Sequence, residues 1–172
     1  MKQSFLSTAS LLLAFICTSS FAQNKDMTAG SPYKATYSSK FMIGKSAYAQ
    51  KILDLWKDWD DNNLDKHADY MADSLVMYLP DSSIVRGKKE NLEGAKKYRG
   101  AFSKVTSILH AWVPLTSTDK NEDVVCVWGQ ETDTFPDGKV EKRDIHEVWW
   151  FNKAGKITAM RQWTAKFGNP GN

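Results

Sequence analysis

The sequence lacks most of what would tie it to a cross-linked, metal-bound or nucleic-acid-bound class. Its 172 residues include only two cysteines, three histidines and five prolines. Cys17 falls inside an N-terminal apolar run, so Cys126 is the only cysteine in the rest of the chain, and no disulfide can staple that part internally. Scattered histidines and a lone cysteine give no ligand spacing, so neither a metal nor a cofactor is expected. A dominant charge is also missing. The 23 basic side chains meet 20 acidic ones, interspersed along the chain, which removes the electrostatic case for nucleic acid. The densest basic stretch, Arg86 to Arg99, also contains Glu90 and Glu93 at helical spacing and reads as a solvated helix face. No apolar run approaches the roughly 20 residues needed to span a bilayer.

What is present begins with a secretory signal: Lys2, the apolar run Leu11 to Ile16, and a small-x-small site at Ser20-Phe21-Ala22. Cleavage after about Ala22 is expected, giving a secreted or periplasmic protein with no membrane attachment. Ahead of Cys17, Ala14-Phe15-Ile16 places a bulky residue where lipoprotein processing requires a small one. The remaining 150 residues suit one domain. The expected organisation is a signal over 1–22, a polar flexible leader over 23–45, a domain over 46–168 and a tail over 169–172.

Within the domain, Ile52, Leu55, Trp56 and Trp59 recur at i, i+3, i+4 and i+7, an amphipathic helix. Asp61-Asn62-Asn63 breaks it, and Leu64, Ala68 and Met71 predict a shorter second helix. Leu75 to Leu79 and Ser83 to Arg86 read as short strands, and a third helix follows from about Lys88. From Thr106 onward, four strand-like runs are separated by Asp119-Lys120-Asn121, Pro136-Asp137-Gly138 and Asn152-Lys153-Ala154-Gly155. Helices first and an antiparallel meander after them predict an α+β fold.

This order, with Leu79-Pro80-Asp81, Arg86-Gly87-Lys88 before the third helix and Gly155-Lys156-Ile157 before the last strand, resembles the SnoaL-like, nuclear transport factor 2-like family over about Ser46 to Phe167. The resemblance implies a cone-shaped single domain, in which a curved antiparallel or mixed sheet packs against about three N-terminal helices around a pocket. It implies no particular reaction.

The hairpin through Phe135 to Lys139 can be registered from its turn. Pro-Asp-Gly suits a three-residue loop with Gly138 left-handed, which pairs Phe135 with Lys139. Trp128 then faces His146 and Gln130 faces Asp144, with Cys126, Thr132 and Val148 on the same side. Val125, Val127, Ile145, Trp149 and Phe151 take the other side, where Glu131 opposes Arg143. This register sets Asp133 against Glu141, whereas a one-residue slip would pair Asp133 with Lys142 and exchange the faces.

The polar and aromatic side reads as the pocket wall, with Trp112, Trp128, Gln130, His146 and Gln162 as ligand-binding residues for a small, partly apolar molecule. Gln162 enters by resemblance to epoxide hydrolases of this fold. Those enzymes use an arginine and two aspartates, and Trp128, Gln130 and Gln162 stand in the corresponding places. A glutamine amide cannot serve as their general base.

His146 with Asp144 is the one acid/base pair available to a cyclase, isomerase or hydratase, and a histidine satisfied by a neighbour is the plainer reading of the same residue. The apolar side, with Ile145, Trp149 and Phe151 and with Trp163 grouped beside them, would need a cover, and a homodimer packed sheet to sheet is expected there, as is common in the resembled family. A binding domain, a proton-transfer enzyme and a structural or protein-binding dimer therefore stand open together.

Overall fold

In the computed structural model, which describes residues 31–166, the apolar stripe of the first helix organises the sheet. The signal over 1–22, the leader before residue 31 and the tail over 169–172 lie outside the described residues. Helix α1 (Ser46–Asp60) buries Ala49, Ile52 and Trp56, spaced as one face of a helix. They join Leu75, Val125, Val127, Trp149, Ile157 and Met160 in one core.

The remaining elements are β1 (Phe41–Ile43), β2 (Met71–Tyr78), β3 (Ile84–Arg86), α2 (Lys88–Arg99), β4 (Lys104–Ser117), β5 (Glu122–Thr134), β6 (Val140–Phe151) and β7 (Ile157–Lys166). One curved seven-stranded sheet runs β1-β4-β5-β6-β7-β2-β3. β2 and β7 pair in parallel and the other neighbours antiparallel, so the α+β expectation holds with a mixed sheet. Among the described residues no helix is long and apolar enough to cross a membrane.

Two elements differ from the sequence reading. The leader does not run free to residue 45, because Phe41–Ile43 pairs with β4 as an edge strand and Gly44 N–H donates to the Pro114 carbonyl at 2.9 Å. Three residues are too few to show alternation. The expected second helix is replaced by a 3-10 turn at Ala68–Tyr70, leaving two α-helices among the described residues. Asn62 takes a left-handed φ of 55°. His67 Nδ1 lies 2.7 Å from Asp58 Oδ2, and its ring stacks on Tyr70. These contacts hold the segment as a turn, and Met71 opens β2.

The hairpin has the expected register: Trp128 opposite His146, Gln130 opposite Asp144, and Phe135 N–H donating to the Lys139 carbonyl at 2.8 Å. Gly138 has the left-handed φ of 87° that the turn requires. Asp133 does oppose Glu141, but the two carboxylates turn apart, Asp133 to Arg143 and Glu141 to Lys139.

The two faces of the sheet exchange the roles assigned to them. Ile145, Trp149 and Phe151 are not a free back face for a second copy. They are buried in the core, with Tyr48 of α1 stacked on Phe151 at 4.4 Å. The Trp128 and His146 side is the open one, with Trp128 39% and Trp163 47% exposed. Helical burial decides the matter, since the stripe of α1 covers the side richer in Val, Ile and Met.

Candidate functional site

The five residues expected to share one pocket are divided by the sheet. Trp128, His146 and Gln130 lie on the open side. Gln162 lies opposite Glu147 on the helix-covered side, and its Nε2 donates to Glu147 Oε1 at 2.7 Å. Trp112 leaves the Trp128 row because a β-bulge between Leu109 and Ala111 sets Trp112 opposite Val127. Gly129 marks that bulge: a Cβ there would stand 2.4 Å from the Ile108 carbonyl oxygen, an approach that only glycine tolerates. Trp163, grouped beforehand with Trp149, instead faces His146.

On the open side, three rings form a cross-strand row. The Trp128 and His146 centroids are 5.7 Å apart, edge to face, and His146 and Trp163 are 5.6 Å apart. Together with His110 and Asp144, they line a shallow depression of about 510 Å³. Large aromatic area with a few polar groups at its margin is what a binding surface for a flat, partly apolar molecule requires. His146 and Asp144 both border the depression, but the imidazole's ring contacts are to the two indoles and no hydrogen bond joins it to Asp144. The acid/base pair is therefore not assembled here.

The helix-covered side holds an acid cluster that the sequence reading missed. Glu147 is fully enclosed. Its Oε2 accepts the indole N–H of Trp56 at 2.8 Å and of Trp149 at 2.9 Å. Burial pushes its carboxyl above the usual range, and the three neutral donors Gln162, Trp56 and Trp149 pull it back only in part. Nearer α2, Arg143 bonds Glu131 at 3.0 Å, Asp133, and the Tyr98 hydroxyl. Burial, with the like charge of Asp133 next, pushes Glu131 up to about 7, and Arg143 opposes the shift. Asp133 is also raised, by burial.

Buried Arg99 donates to the carbonyls of Trp59, Asp60 and Phe102, which stitches the ends of both helices together. Ile52, Trp56, Leu75 and Trp149 fill the space beside these acids, so they form a packed interior and not a ligand wall. An arginine and carboxylates do occur on this side of the sheet, then, but Gln162 contacts none of the Arg143 cluster and no Trp128 or Gln130 shares it.

The architecture is shared with known structures. An LEH-like epoxide hydrolase of M. tuberculosis matches with a TM-score of 0.57 and 13% identity, over 70% of this chain and 84% of that one. An NTF2-like protein of unknown function from Burkholderia pseudomallei K96243 matches with a TM-score of 0.58 and 13% identity, over 70% and 92%. A SnoaL-like protein from Shewanella denitrificans OS-217 gives 0.58 and 11%, over 70% and 92%.

The chain has the SnoaL-like, nuclear transport factor 2-like fold. No family model and no curated protein matches the sequence. At these identities the shared property is the NTF2-like fold, and function has to be argued from this chain's own surfaces. Among the described residues no group of three or more histidine, cysteine, aspartate or glutamate side chains is placed to hold a metal.

Proposed function

We propose that this protein is an exported, non-catalytic binding domain that seats a flat, partly apolar molecule on the open side of its NTF2-like sheet. One observation carries the reading: the Trp128–His146–Trp163 row stays exposed across three strands, while Ile52, Trp56, Leu75 and Trp149 of the helix-covered side are buried in the core. Indole faces supply apolar area at little entropic cost, and the imidazole and Asp144 supply orientation. Export rests on Lys2, the Leu11 to Ile16 run and Ser20-Phe21-Ala22. N-terminal sequencing of the mature protein starting at Gln23 supports it, and an intact Met1 sinks it.

The test of the seat is a fluorescence titration with the neutral probe N-phenyl-1-naphthylamine. Wild type should bind, and Trp128→Ala combined with Trp163→Ala should weaken binding at least tenfold with folding retained. Equal affinity in the double variant rejects the row as the seat.

A second reading is favoured by the extent of the patch, since Ile108 is also 61% exposed on this side of β4. The same face then meets a second copy, and the homodimer forms through the row instead of through Ile145, Trp149 and Phe151.

A further inference from the structure

At the other end of the open face, the segment ahead of β1 folds back over the sheet. Tyr37 donates its hydroxyl to Glu122 Oε2 at 2.6 Å, and Ser38 donates to Asp119 at 2.5 Å. Burial, with Glu122 next, pushes the Tyr37 hydroxyl up to about 12, so it remains a donor at any physiological pH. Beneath Tyr37 lies a cleft of about 730 Å³, walled by Tyr37, Tyr78 and Trp150 and bordered by Lys120, Lys153 and Arg161. That size is within the range of small-molecule sites.

The charges of the cleft are unbalanced. Its two carboxylates are already engaged: Glu122 accepts from Tyr37, and Asp123 accepts from Thr116 at 2.6 Å and from Lys45 at 3.2 Å. Among the described residues, Lys120, Lys153 and Arg161 make no ion pair. The Arg161 guanidinium instead lies over the Tyr78 ring, 4.6 Å from its centroid. A guanidinium held over a ring keeps its N–H donors in its own plane, and with no carboxylate partner they are available to a planar acceptor as a two-pronged fork.

We infer that this cleft is a second binding site, separate from the aromatic row, for a planar aromatic carboxylate whose rings lie among Tyr37, Tyr78 and Trp150 and whose carboxylate meets Arg161. Lys120 and Lys153 raise the local anion concentration and add the salt dependence expected of exposed charges. The inference does not rest on the Trp128 row as a ligand seat.

The experiment is isothermal titration calorimetry of the full mature chain with 2-naphthoate, its neutral amide 2-naphthamide, and inorganic phosphate. The expected result is binding of the carboxylate at least tenfold tighter than the amide, at least tenfold loss in Arg161→Gln, partial recovery in Arg161→Lys, and no change in Lys142→Gln, which removes a charge elsewhere on the same sheet.

Equal binding of acid and amide would overturn the assignment, as would phosphate displacing naphthoate with equal affinity, or no heat at millimolar ligand. Loss of binding in Trp128→Ala with retention in Arg161→Gln would also overturn it, by moving the ligand to the aromatic row. Should Arg161→Gln fail to fold, the double variant Lys120→Gln with Lys153→Gln carries the same test, because both lysines lie in exposed turns, and unchanged naphthoate affinity there counts against the site.

Discussion

Trp56 of α1 donates its indole N–H to Glu147 of β6 at 2.8 Å, and Trp149, two residues further along β6, donates to the same oxygen at 2.9 Å. A carboxylate oxygen shared by two indoles ties the first helix to a central strand inside the core. Trp56→Phe keeps most of the apolar area but withdraws one donor from an enclosed acceptor. Because Trp149 and Gln162 still donate to Glu147, the loss is that of one buried hydrogen bond, about 1–2 kcal/mol. The urea midpoint checks it: an unchanged midpoint would mean that the bond contributes nothing to stability.

The same carboxyl makes stability depend on pH. Its folded pKa is raised by burial, so the folded state holds the proton to higher pH than the unfolded chain does. Glu147's contribution is therefore fully present below the unfolded carboxylate value of about 4.3 and is lost as pH rises through the folded value. In Glu147→Gln, one amide oxygen can accept both indoles while the Gln162 amide turns over to accept from the new NH₂ group. The stability of Glu147→Gln relative to wild type should therefore grow from pH 4 to pH 8 in chemical denaturation. Glu131 and Asp133, both raised, leave some slope in the variant. A constant difference across that range would show that Glu147 is not the titrating group.

The turn chemistry of Pro136-Asp137-Gly138 was readable from the sequence, and with it the pairing of Trp128 with His146, because a left-handed glycine admits few hairpin geometries. The inward face was not. Along β5 and β6 the inward row carries Val125, Val127, Ile145, Trp149 and Phe151 but also Glu131, Asp133, Arg143 and Glu147, while the open row contains Trp128. The more apolar row is the one that the helices cover, and the charged residues within it, with an indole on the open row, obscured that. A signal existed in α1: Trp56 lies on its apolar stripe, and its indole N–H must find a buried acceptor, which calls for acids on the facing strands. The bulge at Gly129 was also hidden, since a bulge shifts the parity of one strand without a composition change.

Arg143 separates two buried carboxylates on the helix-covered side. Arg143→Met removes the cation and leaves Glu131 and Asp133 facing each other without compensation. Breaking a buried ion pair from one side costs about 3–5 kcal/mol. The loss should be smaller at pH 5 than at pH 8, because protonation of Glu131, already raised to about 7, relieves the repulsion. Thermal unfolding at the two pH values reads it directly. A penalty equal at both would mean that Arg143 acts through its packing on Tyr98 and Phe102 and not through its charge.

Trp149 and Trp163 lie on adjacent strands but on opposite sides of the sheet, 5% and 47% exposed. A glutamate at each position therefore asks a different question. Trp149→Glu places an unpaired carboxyl in the core beside Glu147 and opens a cavity where an indole was, and the protein should fail to fold or lose at least 3 kcal/mol, the cost typical of removing a buried tryptophan. Trp163→Glu alters only the open row, so circular dichroism and melting temperature should stay close to wild type. If the open face joins two copies, sedimentation velocity should show a dimer for wild type and a monomer for Trp163→Glu, because a carboxylate facing its own symmetry mate is repelled across the interface. A wild-type monomer disposes of the dimer and leaves the row to a small ligand. A folded, soluble Trp149→Glu would contradict the assignment of faces on which both readings rest.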